Sequence, residues 1–490
     1  MRRTIDEAKA EVQSTYAAVL SYTDCDAKQS AWSFEKAIFT MLLELGRALM
    51  ALYFARQAAR PRPVEYRHEG QQWVLQGERT TEIGTRFGKV PFTRSIGRRA
   101  EARRAACDLP VDRELGLCAG FTLGTVLGMV RLVAQMAYGA ARETFRGTYE
   151  WTPSPRAVMR MVDATGNEAR PFLEQAAAPD DDGEVLVIQV DGRGAPMITE
   201  EEIRRRRRAH RHAHRSPGGR HARRAQRREN PRRRRTSGKK SKNAKVAVVG
   251  VLYTLRRVPE GFDGPINKRL YATFESHEAL FIWLRREADK RGYGTKQSLF
   301  LADGADTIWR LKEEYFPEAE GCVDWYHVVE KLWSAGQCMY AEGSKELAGW
   351  VGRQAKRLRR GAIDALLGEL RQKMAAVPRT GPGTKGKRER LNKAIKYLTT
   401  HRQRLPYHDL RRRDLDIGSG AVEGAVRNLI ALRLDSAGMR WGRGRSERLL
   451  HLRCIVLNGQ WEEFCEYIAS RKGFTLGARP IAAESYKAAS

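Results

Sequence analysis

Three acidic residues stand where chemistry could be done. Asp191 and Asp303 each sit in an Asp-Gly dipeptide at the end of an apolar run, VLVIQVDG and SLFLADG, and Glu423 follows a GSG turn. Carboxylates are the hard oxygen donors that Mg²⁺ takes. Two such ions about 3.5 to 4 Å apart activate a water or a 3′-hydroxyl and stabilise the leaving oxygen when a phosphodiester is cut. The apolar runs read as buried strands, so each Asp would leave the edge of a sheet while Glu423, near a helix start, approaches from the side. Asp-Gly alone is a common turn dipeptide. Two at the ends of buried strands, followed by a helix-borne Glu, make a stronger case. Mg²⁺ is the expected cofactor, with Mn²⁺ able to replace it.

Asp324 and His327 in CVDWYH form a second pair. A strand-end Asp with a His one turn later could orient a metal-bound water or contact a phosphate; the same spacing also fits a helix-capping Asp and a packed His. Asp306, three residues after Asp303, reads as a helix-start acid rather than a ligand.

The elements that must hold these residues follow from periodicity. EVLVIQVDG, KVAVVGVLYTLRR and KRLYATF are strand-like; His277 to Arg291 is helical; SLFLADG is a strand; Thr307 to Tyr315 is helical; CVDWYHVVEKLW is a short strand running into a helix. Three strands, a helix, a strand, a helix and a strand is the order of an RNase H-like core, an α/β fold with a mixed sheet. The basic stretches Lys345 to Met374 and Lys385 to Arg402 are expected helices around the turn PRTGPGTKG, forming a helical insertion over 343–405. Beyond it, Val422, Val426 and Leu429 form an apolar stripe with Glu423 and Arg427 on the neighbouring face, and SERLLHLRCIVLNGQWEEF reads as one closing helix.

The N-terminal region is mainly α-helical with a small β hairpin. Residues 1–60 are helical, and Ile38, Leu42, Leu45, Leu49 and Leu52 are spaced as the core face of an amphipathic helix, a spacing that also suits a short coiled-coil seam. In 61–110, TTEIGTRFGKVPFTRS predicts a hairpin turning at Gly88-Lys89. In 111–180 two helices flank a break at Trp151 to Pro155. The second, PRAVMRMVDATG, carries Arg156 and Arg160 and could be the recognition helix of a helix-turn-helix. The catalytic domain is expected over 184–465, followed by a tail, 466–490.

The net charge of +31 implies a polyanionic partner. From Arg204 to Lys245, 20 Lys and Arg face one acid, Glu229, which leaves only +12 for the rest of the chain. Within it Arg204, Arg205, Arg206, Arg207, Arg208, Arg232, Arg233, Arg234 and Arg235 are expected to hold DNA backbone phosphates without reading bases. His210, His212 and His214 alternate there with no Cys or carboxylate nearby, so no zinc is expected. Seven scattered cysteines with no CxxC pair fit a reducing compartment. The one long apolar stretch, Gly120 to Ala141, is interrupted by Arg131 and Gln135, as in a buried helix. The expected protein is soluble, cytoplasmic and nucleoid-associated, with double-stranded DNA as its partner and no membrane.

VIQVDGRG, LFLADGAD, DWYHVVEKLW and IGSGAVEGAVRNLIALRLDSAGMRW resemble conserved blocks of the ISKra family of bacterial insertion-sequence transposases, over roughly 184–465. The resemblance implies an RNase H-like DDE domain with Asp191, Asp303 and Glu423 as its metal-binding triad. It also implies cleavage at element ends, strand transfer into target DNA, and a homo-oligomer on that DNA. CVDWYH is similar to a motif of Mutator-like transposases that supports the active site. Arg427, Arg440 and Trp441 in the last block are expected on DNA. Many family members carry paired cysteines like a zinc ribbon near the N-terminal hairpin, whereas this chain has only Cys107 there. The rival expectations are an RNase H-like nuclease or resolvase that does not join strands, and a non-catalytic DNA-binding descendant of a transposase. The presence of all three acids speaks against the latter.

Overall fold

The computed structural model describes residues 4–24, 28–99, 107–199, 201–205, 208, 244–436, 439–471 and 473–476. Arg206, Arg207, Arg232 to Arg235 and the three alternating histidines lie outside them. The chain divides into two compact units, Met1–Phe172 with Gly459–Ser490, and Leu173–Asn458.

The first unit opens with helices α1 (Ile5–Thr23) and α2 (Ala31–Ala59). Thr4 and Glu7 form a capping box on α1, and Ser30 caps α2 through the Ser33 amide. An antiparallel sheet follows, β1 (Glu65–His68), β2 (Gln71–Thr85) and β3 (Gly88–Arg99). Ala51, Phe54 and Ala58 of α2 pack with Ile83, Val90 and Phe92 of the sheet and with Val111 and Leu117. This corrects the expected core face of α2, because Leu42 and Leu49 are exposed. The hairpin turns at Arg86 and Phe87, not at Gly88-Lys89: Thr85 pairs with Gly88, and the Thr85 hydroxyl bridges the Gly88 carbonyl and the Phe87 amide.

Arg94 on β3 makes a buried two-pronged ion pair with Asp112 in α3 (Pro110–Glu114), at 2.7 and 2.6 Å. The apolar stretch from Gly120 is split between α4 (Leu123–Gln135) and α5 (Tyr138–Tyr149). The break before α6 (Pro155–Gln175) is pinned by Trp151, which packs on Phe121 and Phe145 and donates its indole N–H to the Thr85 carbonyl. Among the described helices α2 alone is long and apolar enough, by length and composition, to cross a membrane.

The second unit is built on a five-stranded sheet of β4 (Val185–Pro196), β5 (Ala244–Val258), β6 (Gly261–Thr273), β7 (Gln297–Ala302) and β8 (Glu320–Val323), ordered β6-β5-β4-β7-β8. The first three strands in sequence pair antiparallel, while β4, β7 and β8 run parallel. Val185 to Val190 and Ala247 to Leu255 are buried throughout, which is why they read as unbroken apolar runs. Parallel neighbours need crossovers, supplied here by α7 (His277–Lys290) and α8 (Asp306–Tyr315).

After β8 comes α9 (Trp325–Gly336), then α10 (Lys345–Arg359), α11 (Ile363–Ala376), α12 (Thr384–Thr400) and α13 (Tyr407–Arg412). The single helix expected over 345–374 is cut at Gly361, whose φ of 75° suits a glycine C-terminal cap. The chain returns through α14 (Gly420–Val426) and α15 (Arg443–Leu457). The expected closing helix is likewise two: Gly459, at φ 75°, separates α15 from α16 (Trp461–Ser470), which belongs to the first unit.

Candidate active site

Val190 of β4 pairs with Ala302 of β7, and Ala302 with Val323 of β8. The next residue on each of these three parallel neighbours is an aspartate: Asp191, Asp303 and Asp324. The carboxyl ends of parallel strands are where open α/β sheets bind ligands. Asp191 does not end its strand as expected. It pairs with Val249, and β4 continues along β5 to Pro196; only the pairing with β7 stops.

Neither glycine of the two Asp-Gly pairs serves a left-handed turn. A Cβ on Gly192 would lie 3.1 Å from Val246 Cγ1 and 3.2 Å from the Ala247 carbonyl oxygen of β5. One on Gly304 would lie 2.3 Å from the Tyr397 ring of α12. Gly304 therefore lets the helical insertion reach the site, and nothing in the sequence around Tyr397 announced it.

Burial pushes the Asp191 carboxyl above the usual range, and the charges of Asp303 and Asp324 add to it, against the Gly192 amide and His327. Asp324 is more deeply buried, and burial alone would raise it too. It accepts hydrogen bonds from His327 Nδ1 at 2.8 Å, the His327 amide at 2.9 Å and the Ser419 amide at 2.6 Å, and these hold it below the ordinary carboxylate range. Asp324 in turn raises the His327 imidazole above its ordinary value against the cost of burial, with help from Asp303 and Asp191. Asp324 is also the N-cap of α9. The capping arrangement expected of it is present, and the same carboxylate holds the His327 ring. Tyr397 is pushed up by burial and then by the charges of Asp303 and Asp324.

The start of α14 is tied to this row from two sides. Asp324 holds the Ser419 amide, and Gln189, two residues before Asp191, accepts from the Val422 amide at 2.9 Å and donates to the Tyr253 hydroxyl at 3.0 Å. Glu423 follows directly, with its side chain exposed. Val422, Val426 and Leu429 are buried as expected. The helix then widens into a π turn, Arg427–Ala431, a form frequent at functional sites. Gln189 escaped the sequence reading, although a lone amide in VLVIQV was a usable signal: a buried polar group needs a partner.

The structure therefore gathers Asp191, Asp303, Asp324 and His327 into one coupled group, and sets Glu423 on a helix locked to the same strand. Among the described residues no three or more His, Cys, Asp or Glu side chains stand ready to hold a metal. Glu447 of α15 accepts from the Thr273 hydroxyl at 2.5 Å and the Phe274 amide at 2.8 Å, which ties that helix to the end of β6. A cavity of about 510 Å³ opens at Gln189, lined also by Tyr253, Lys268, Tyr326, Arg411 and Asp416.

Arg156, Arg160, Arg204, Arg205, Arg208, Arg427 and Arg440 are exposed. Trp441 is a correction: it is buried, its indole N–H donates to the Leu434 carbonyl at 2.9 Å, and Arg433 lies over its ring. Its faces are occupied by protein, so it is not a surface for DNA.

No protein-family model matches the chain, and no curated protein matches it. Among solved structures, the chain is similar to the Drosophila P element transposase strand transfer complex. The identity is 11% and the TM-score 0.25, over 72% of this chain and 82% of that one. At that similarity the neighbour decides nothing, and function has to be reasoned from the site.

Proposed function

We propose that this chain is a DDE transposase of the ISKra type, with an RNase H-like catalytic domain. What supports the reading above all is the register row: three aspartates, one residue beyond Val190, Ala302 and Val323, on three parallel neighbours. The sheet order, with β4 antiparallel to β5 and parallel to β7, fits that domain.

The donors suit Mg²⁺ or Mn²⁺. They are hard oxygens, and the raised Asp191 carboxyl reports burial, with like-charge repulsion added, that a cation would relieve. Asp191 and Asp303 would hold it, with Glu423 closing from α14. Bound there, divalent cations lower the pKa of water and neutralise charge on the reacting phosphate. Asp324 fixes the His327 ring through Nδ1, which leaves Nε2 for a phosphate oxygen, and Gln189 sets the height of Glu423 against Asp191. Hydrolysis at the element end releases a 3′-hydroxyl; that hydroxyl displaces a target 3′-oxygen, so one phosphodiester forms for each one broken.

Arg427, Arg440, Lys268 and Arg411 would line the DNA path. Arg156 and Arg160 would meet the element ends, and the Arg-rich segment would hold backbone phosphates. The working location is the cytoplasm, on the nucleoid.

The test uses the full chain with Asp191→Asn, Asp303→Asn and Glu423→Gln. Each should lose cleavage and joining of element-end DNA by at least about a thousandfold while keeping duplex affinity, and each should weaken Mn²⁺ binding measured by titration calorimetry. Full Mn²⁺ affinity in Asp303→Asn would refute the metal assignment. Cleavage without joining of pre-cut ends would make the chain a nuclease.

A further inference from the structure

The face of α2 that does not reach the core carries its own pattern. Trp32, Phe39, Leu42, Leu49 and Tyr53 are between 44% and 70% exposed. At 100° per residue they fall, with Glu35, Gly46 and Arg56, within an arc of about 120°. Phe87 from the hairpin tip leans on Gly46, where an added Cβ would meet its ring at 2.2 Å, and Tyr16 and Leu20 of α1 are exposed as well. Apart from Glu35 and Arg56 the exposed side chains of this stripe are apolar, and a patch of this kind on a folded unit marks a contact site.

We propose that this stripe is the seam of a homodimer in which α2 of one copy lies antiparallel to α2 of a second copy. The charges on the stripe select that occupant. Glu35, Leu42, Leu49 and Arg56 follow one another at intervals of seven, with opposite charges at the two ends and leucines between. A two-fold axis between Leu45 and Gly46 sets Leu42 against Leu49 of the other copy, and Glu35 against Arg56. Neither Glu35 nor Arg56 has an ion-pair partner among the described residues. A two-fold contact must be self-complementary, and this stripe is.

The area also suffices. With total accessible areas of about 150 to 250 Å² per large side chain, covering the exposed parts of the five apolar α2 residues removes on the order of 500 Å² per copy, about 1,000 Å² in all, the size at which a specific interface begins. The inference does not rest on the proposed activity.

Sedimentation of the nuclease-treated full chain at moderate salt tests it. The expected species has twice the 55.6 kDa chain mass, and Leu42→Glu with Leu49→Glu should give a monomer with an unchanged circular dichroism spectrum. Glu35→Arg or Arg56→Glu alone should weaken the dimer about tenfold, since each places two like-charge pairs across the seam. The double exchange, Glu35→Arg with Arg56→Glu, should restore it. A monomeric wild type at tens of micromolar, a double exchange as weak as the single ones, or a monomer that instead binds zwitterionic vesicles through the stripe would each overturn the proposal.

Discussion

Strands β4 and β8 lead into the same residue in the same register row, yet they treat it in opposite ways. At β8, Asp324 is almost wholly buried and still held below the ordinary carboxylate range, because two backbone amides and an imidazole donate to it. At β4, burial lifts Asp191 above that range and the charges of Asp303 and Asp324 add to it, with only the Gly192 amide and His327 working against them. Burial alone does not decide a carboxyl's fate; the supply of donors does. Asp324 already has three donors, whereas Asp191 has one, so a cation would bring the larger relief at Asp191.

Stability should separate the two most sharply. Asp324→Ala leaves the Ser419 amide and the His327 ring without their partner and uncaps α9, so it should cost about 3 kcal/mol in denaturant unfolding. Asp191→Asn should instead raise the melting temperature in chelator and abolish the further rise that Mn²⁺ gives the wild type. A loss for Asp191→Asn comparable to that of Asp324→Ala would erase the contrast.

A smaller effect lies in pH. The His327 pKa is raised in the fold, so its stabilisation is full below the ordinary histidine value of about 6.5 and is lost as pH rises through the folded value. Asp324, held low, stays ionised across that window. His327→Asn should flatten the fall in stability as pH rises above the ordinary histidine value of about 6.5. An unchanged slope would show that the pair is not coupled. Smallest of all, Asp306 is exposed at the first turn of α8 with no side-chain cap bond. Asp306→Asn should cost about 0.5 kcal/mol through the helix dipole and leave strand cleavage intact.

The strands, and with them the register positions of Asp191 and Asp303, were legible because central strands buried on both faces announce themselves as apolar runs. The breaks at Gly361 and Gly459 were not, since helical periodicity continues across a left-handed glycine cap. Asp191-Gly192 was misjudged as a strand end because the dipeptide is the same whether a strand stops or merely leaves one neighbour. Leu42 and Leu49 looked like core because spacing shows that a face is apolar, not what it meets. Tyr397 lies some ninety residues from Asp303 in sequence, and only folding brings the two together.

The register row also bears on how such a chain can lengthen over generations. Side chains alternate faces along a strand, so deleting one residue inside β7 would turn Asp303 away from its neighbours and erase the row at a stroke. Both long excursions, the basic one between β4 and β5 and the helical one between β8 and α14, leave and return outside the paired residues. Length is thus free to drift in the connections, while a change of length inside β7 before Asp303 would break the row. Natural variants should accordingly differ by whole segments in those two places and by single exchanges along the strands outside the row.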